Sequence, residues 1–219
     1  MELLPVEIVN EILLSVDKPS LYYASQVCRQ WYQLSLNQVT SINNKEDFNQ
    51  LCKQGDILSI VNSKINVLWL DMGLWCACAG GHKVLVEFII TKGATAWNYG
   101  LYGACLGGSK ELVEFMIAQG ANNWNLALES ACQGGSLELV DLMIAQGANN
   151  WNRGLWGSCE GGSKELAEFM ITKGATDWNG GLRSACQGGS KELAEFMITQ
   201  GANNWNYCIQ YACFRGHNT

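Results

Sequence analysis

Between Trp97 and Asn123 the apolar residues fall into two short runs. In the first, Leu101, Ala104 and Cys105 stand at i, i+3 and i+4, which places them on one face of a helix. In the second, Leu112, Val113, Phe115, Met116 and Ile117 make an apolar face too broad for a surface helix, the pattern expected where neighbours cover both flanks. Lys110 and Glu114 are left for solvent. Gly107-Gly108 separates the runs and Gly120-Ala121-Asn122-Asn123 follows the second; glycine just past a helical run closes it by taking the left-handed conformation. Asn98 and Ser109 precede the runs and offer side-chain oxygens to the free N–H groups of a helix start. The pattern predicts helix, turn, helix, loop.

The same pattern recurs. Gly-Ala begins at Gly93, Gly120, Gly147, Gly174 and Gly201, 27 residues apart, and Trp97, Trp124, Trp151, Trp178 and Trp205 keep that interval. Self-similarity at a fixed period means that each unit buries its apolar face only against its neighbours, so the units stack into an all-α solenoid. Units run over 70–96, 97–123, 124–150, 151–177 and 178–204, with a partial unit at 205–219. Residues 41–69 read as a degenerate capping repeat: Phe48 to Val61 carries a helical pattern, Gly55 ends its first helix, and its outer side is polar. The partial last unit leaves the second helix of 178–204 short of cover, so that end is expected to fray or to self-associate.

Within a unit, Leu-x-x-Ala-Cys-x-x-Gly followed by Leu-Val-Glu-Phe-Met-Ile-x-x-Gly-Ala resembles the ankyrin repeat. That family's period is about 33 residues, and the shortfall of about six falls where its projecting β-hairpin would lie. The resemblance implies stacked helix pairs joined by short Trp-Asn loops without hairpins. It also implies that the row of first helices forms the concave, ligand-binding wall.

The first 38 residues do not share the period. Pro5 and Glu7 suit a helix start, Ile8, Ile12 and Leu13 share one face, and Asp17-Lys18-Pro19-Ser20 breaks that helix. A second run from Leu21 leads into Cys28-Arg29-Gln30-Trp31, giving a three-helix unit too small to be very stable alone. The order Leu-Pro-x-Glu-Ile, Ile-Leu, Asp-x-Pro-x-Leu and Val-Cys-Arg-x-Trp-x-x-Leu resembles an F-box, assigned to residues 1–40. The resemblance implies docking onto the Skp-type adaptor of a cullin–RING ubiquitin ligase through Leu4, Pro5, Ile8, Val27, Cys28, Trp31 and Leu34. The same residues would also serve as the core of a small helical cap.

Composition narrows the classes. The 219 residues are 48% hydrophobic, ample for a core, and no apolar stretch approaches the ~20 residues of a membrane span. The start, Met1-Glu2-Leu3-Leu4-Pro5, lacks the positive region of a signal peptide, so cytoplasm or nucleus is expected and no membrane partner. A net charge of −6 argues against nucleic acid, whose phosphates need clustered Lys and Arg. Cys78, Cys105, Cys132, Cys159, Cys186 and Cys213 are one repeat position copied, read as buried reduced thiols. Cys76-x-Cys78 and Cys208 lack the spacing of a zinc site, so no metal or cofactor is expected. The histidines, His82 and His217, are far apart at one repeat position, and no phosphate loop, nucleophile elbow or catalytic carboxylate pair is present. The chain reads as a non-enzyme, with any catalysis coming from partners.

Differences among units locate a candidate surface. The second helices are nearly uniform, whereas the first helices vary at three positions sharing one face, opposite the leucine and cysteine. The central position reads Trp75, Tyr102, Glu129, Trp156, Arg183; three before it stand Tyr99 and Arg153, and four after it Leu106. Trp, Tyr and Arg are enriched in binding hot spots, so this stripe is the expected protein-target surface, with Trp75, Tyr102 and Trp156 as exposed aromatics. Free drift of surface positions is the other reading. The recurrent loop tryptophans read as structural wedges between units, with Asn98, Asn125, Asn152, Asn179 and Asn206 capping the next helix; an aromatic ligand strip is the other reading. The expected function is that of a ubiquitin-ligase substrate receptor, the alternative a binding or sequestering module without a ligase link. Trp-Asn-rich arrays fused to F-boxes resemble those of large DNA viruses of amoebae, which would place the chain in a host cell and its target among host proteins.

Overall fold

The computed structural model describes residues 44–57, 60, 67–204 and 206. The chain divides into two units, Met1–Ser41 and Ile42–Thr219, and every described residue lies in the second. Leu4, Pro5, Ile8, Val27, Cys28, Trp31 and Leu34 lie outside the described residues, as does the partial unit at 205–219 apart from Asn206.

The described residues are helices and loops, with no strand among them. Helix α1 (Lys45–Gln54) comes first, and a 3-10 turn at Val67–Trp69 leads into five pairs. These are α2 (Leu70–Ala79) with α3 (Lys83–Thr91), α4 (Trp97–Leu106) with α5 (Lys110–Ala118), α6 (Trp124–Gln133) with α7 (Leu137–Ala145), α8 (Trp151–Gly161) with α9 (Lys164–Thr172), and α10 (Trp178–Gly188) with α11 (Lys191–Thr199). Each first helix packs on the next, α2 on α4 through to α8 on α10, and each second helix packs on the first helix of its own pair. Helix α1 covers α2, burying Phe48 and Cys52.

The core follows the apolar pattern. Leu101, Ala104 and Cys105 of α4 and Leu112, Val113 and Met116 of α5 are buried, and Phe115 and Ile117 pack against them half-buried. The first helices approach closely because the sequence leaves out side chains between them. A Cβ at Gly157 would overlap the Glu129 carbonyl oxygen of the preceding helix. The glycine pair after each first helix divides its labour: a Cβ at Gly134 would stand 2.5 Å from the Leu106 carbonyl oxygen, whereas Gly135 takes φ 76° to turn the chain.

The caps differ from expectation at one end. Ser109, Ser136, Ser163 and Ser190 accept from the N–H of Leu112, Leu139, Leu166 and Leu193, each at 3.4 Å, as helix N-caps do. Helix α4, however, begins at Trp97, so Asn98 sits inside its first turn and does not cap it. The Asn98 Oδ1 instead accepts from the backbone N–H groups of Asn122 and Asn123, both at 2.9 Å, pinning the loop that feeds α6. Asn125, Asn152 and Asn179 repeat the arrangement, and Asp71 performs it for Thr95 and Ala96. The first turns of α6, α8 and α10 are capped by Asn123, Asn150 and Asp177 themselves.

Trp97, Trp124, Trp151 and Trp178 are partly buried and pack against the core. Cys52, Cys76, Cys78, Cys105, Cys132 and Cys159 are free and buried. Burial pushes the Cys78, Cys105, Cys132 and Cys159 thiols up to about 12. Cys186 departs from the reduced-thiol reading: it is half-buried and disulfide-bonded. His82 occupies the place of the capping serines without making a cap bond; its Nε2–H donates to the Lys53 carbonyl at 2.9 Å, tying the start of α3 to α1.

Candidate functional site

The variable positions of the first helices do form one face, turned away from the buried leucines and cysteines. Their exposure is not what the sequence suggested. Trp75, Tyr102 and Trp156 are half-buried, and the most exposed aromatic of the face among the described residues is Tyr99, at 53%. The cause is packing, with Trp75 and Tyr102 lying against the buried core. Tyr99 and Tyr102 meet edge to face at 6.1 Å. Burial, and then Tyr99, hold the Tyr102 phenol above its ordinary range. Trp75 packs against the core at the α2 end, and Leu106 is half-buried on α4.

The central part of the face is polar and internally paired. The Arg153 Nη1–H donates to Glu129 Oε2 at 2.6 Å across the α6–α8 boundary, with both side chains partly buried. The same guanidinium lies 5.9 Å from the Trp156 ring centre, within cation–π range. The Trp156 Nε1–H donates to Asp177 Oδ2 at 3.1 Å, and the Gln187 Nε2–H donates to Glu160 Oε1 at 2.9 Å. The structure thus brings Glu129, Arg153 and Trp156 together, sets Tyr99 beside Tyr102, and leaves Arg183 exposed on α10. The face divides into a mostly apolar half on α2 and α4 and a hydrogen-bonded half on α6, α8 and α10.

Sequence reasoning missed Asp177 and Gly180, which complete the surroundings of Trp156. Their signal was present as breaks in the internal pattern: Asp177 replaces the Asn of Asn123 and Asn150, and Gly180 replaces the large side chains at Met72, Tyr99, Leu126 and Arg153.

The second helices carry charge, but less passively than expected. Lys83 pairs with Glu111 at 2.6 Å, Lys110 with Glu138 at 2.7 Å and Lys164 with Glu192 at 3.0 Å, each bridging adjacent units. These carboxylates hold the lysine ammonium groups above their ordinary range. Leu137 stands where a lysine would continue the series. Exposed pairs of this kind contribute little individually.

Among the described residues no group of three or more His, Cys, Asp or Glu side chains could hold a metal ion. Nor is any described helix long and apolar enough to cross a membrane.

Residues 1–40 match the family model of the F-box-like domain. This F-box-like segment precedes the described stack of helix pairs. Among solved structures, the crystal structure of the human ASB11 ankyrin repeat domain is similar, with 21% identity and a TM-score of 0.44 over 71% of this chain and 84% of that one. No curated protein matches the chain.

Proposed function

We propose that the chain is the substrate-receptor subunit of a cullin–RING ubiquitin ligase. The F-box-like segment binds the Skp-type adaptor through Leu4, Pro5, Ile8, Val27, Cys28, Trp31 and Leu34. The first-helix face binds a target protein through Trp75, Tyr99, Tyr102, Leu106, Glu129, Arg153, Trp156 and Arg183. The observation that carries this reading is the F-box-like match over residues 1–40, joined in one chain to a repeat stack that displays aromatic and arginine side chains on a single face. Binding both proteins at once raises the effective concentration of the target at the ligase, so ubiquitin transfer is promoted by proximity without a catalytic group in this chain.

Recovery of the cellular adaptor with the intact chain tests the ligase half. Leu4→Ala with Pro5→Ala should abolish recovery and leave the unfolding transition of the repeats unchanged, because a repeat stack is stabilised mainly through its neighbour interfaces. Failure of the unaltered chain to recover an adaptor, where a known F-box does, would reduce the function to binding or sequestration. For the target half, Trp75, Tyr102 and Trp156 replaced together by Ser should remove partners from a proximity-labelling experiment and spare the adaptor. Replacing Lys110, Glu114 and Lys164 by Ser should spare both. The reverse result would move the binding surface to the second helices.

A further inference from the structure

One depression on the first-helix face is built by three departures from the repeat that depend on one another. Trp156 donates its Nε1–H to Asp177 Oδ2 at 3.1 Å, and Asp177 Oδ1 accepts the Gly180 N–H at 3.0 Å. A Cβ at Gly180 would overlap both the indole nitrogen and the Asp177 carboxylate. The indole therefore reaches Asp177 only because residue 180 has no side chain. Arg153, held by Glu129, lies over the same ring. Trp156 is fixed by Asp177 and by Arg153, itself held by Glu129 of the preceding unit, before any ligand arrives, and an aromatic anchor that is already ordered forfeits little entropy on binding.

Beside this indole lies a depression of about 290 Å³ lined by Trp156, Asp177, Asn179, Gly180, Arg183 and Asn204. It has room for one large side chain. Its polar groups are not equally open to a ligand. Both Asp177 oxygens already accept N–H groups, and Asn179 Oδ1 accepts from the backbone of Asn203 and Asn204. At the rim stands the exposed Arg183, whose planar fork has five donors and can take a carboxylate side-on beside its existing contacts. The sorting of cations points the same way: among the described residues every lysine lies on α1, on a second helix or just after one, and Arg153 and Arg183 are the two cations of the first helices.

We infer that this depression takes a bulky apolar side chain of a target segment bearing an acidic residue beside it. The apolar group lies on the Trp156 indole and the carboxylate pairs with Arg183. The inference rests on the first-helix face being the target surface, and it adds the chemistry that one part of that face selects.

The test uses the full chain without adaptor, labelled with 5-fluorotryptophan, the Trp156 resonance being assigned by Trp156→Phe. The probes are the peptides acetyl-Phe-Glu-Glu-amide, acetyl-Phe-Lys-Lys-amide and acetyl-Gly-Glu-Glu-amide. The first should shift the Trp156 resonance saturably and bind at least about tenfold more tightly than either of the others, since one carboxylate–guanidinium pair or one buried aromatic group commonly accounts for that much. Arg183→Gln, a change at an exposed position, should weaken the acidic aromatic peptide at least about fivefold with the thermal transition unchanged. Gly180→Ala should abolish binding by displacing the indole. Equal binding of the lysine peptide, an undisturbed Trp156 resonance with the acidic one, or full affinity in Arg183→Gln would each overturn the inference. Peptide failure with target capture still lost on the triple serine replacement would sink this inference and leave the proposed function standing.

Discussion

Replacing Asn125 by Ala removes an acceptor that two backbone N–H groups at the far end of its own unit share. The Oδ1 of Asn125 lies 2.8 Å from the Asn149 nitrogen and 2.9 Å from that of Asn150, so one side chain holds the loop that feeds α8. A net hydrogen bond contributes about 0.5–1.5 kcal/mol, giving about 1–3 kcal/mol for the two. Water reaches this exposed site and replaces part of the loss, and Ala in a first helical turn returns about 0.5 kcal/mol of propensity. The expected net destabilisation is about 1–1.5 kcal/mol. Urea unfolding followed by circular dichroism measures it, with the denaturant slope unchanged because the same surface is exposed. Hydrogen exchange at the Asn149 and Asn150 amides should accelerate selectively. The chain supplies its own control: Asp71 holds Thr95 and Ala96 in the same way, both at 3.1 Å, so Asn125→Asp should retain most of the stability. An alanine variant within about 0.3 kcal/mol of the unaltered chain would refute the reasoning, since surface changes without a specific role fall in that range. So would an aspartate variant as costly as the alanine one.

Other outcomes follow from the same geometry. Trp124→Ala should destabilise by about 2–3 kcal/mol, below the usual cost for a fully buried aromatic because the residue is only partly buried, and Trp156→Ala by about 1–2 kcal/mol, since it forfeits the Asp177 bond and the Arg153 contact; calorimetry ranks the two. Gly157→Ala should destabilise by about 1–3 kcal/mol because its Cβ meets the Glu129 backbone, whereas Gly154→Ala meets the movable Met170 side chain and should cost less; denaturant midpoints distinguish them. The Cys105, Cys132 and Cys159 thiols, held near about 12 when folded, keep their protons at pH values where the unfolded chain loses them. Stability should therefore be full below the ordinary thiol range near about 8.5 and fall as pH rises from there toward about 12, as read by unfolding at stepped alkaline pH. A flat profile, or rapid labelling of these thiols in the folded chain at neutral pH, would contradict their burial.

The sequence by itself determined the helix pairs, their order and their buried faces. A period of 27 residues repeated five times averages out local ambiguity, and the apolar spacing within each unit permits one packing: Leu101, Ala104 and Cys105 inward, the variable positions outward. Resemblance within residues 1–40 was legible for a similar reason, since nearly every signature position is filled and the family match covers the same segment. What only the tertiary structure decided are contacts between residues distant in the chain. Asn98 looked like a cap for its own helix, yet its partners lie 24 and 25 residues ahead; Lys110 looked solvated, yet it pairs with Glu138. The setting of Trp156 shows the physical reason most clearly. Its setting combines the carboxylate of Asp177, 21 residues ahead, the missing side chain at Gly180 of the next unit, and the guanidinium of Arg153, which is itself held by Glu129 of the preceding unit. Periodicity along a chain specifies which face of a helix is buried. Which neighbouring side chains complete a site on the other face is set by the rotation and distance between units, which intra-unit spacing does not encode.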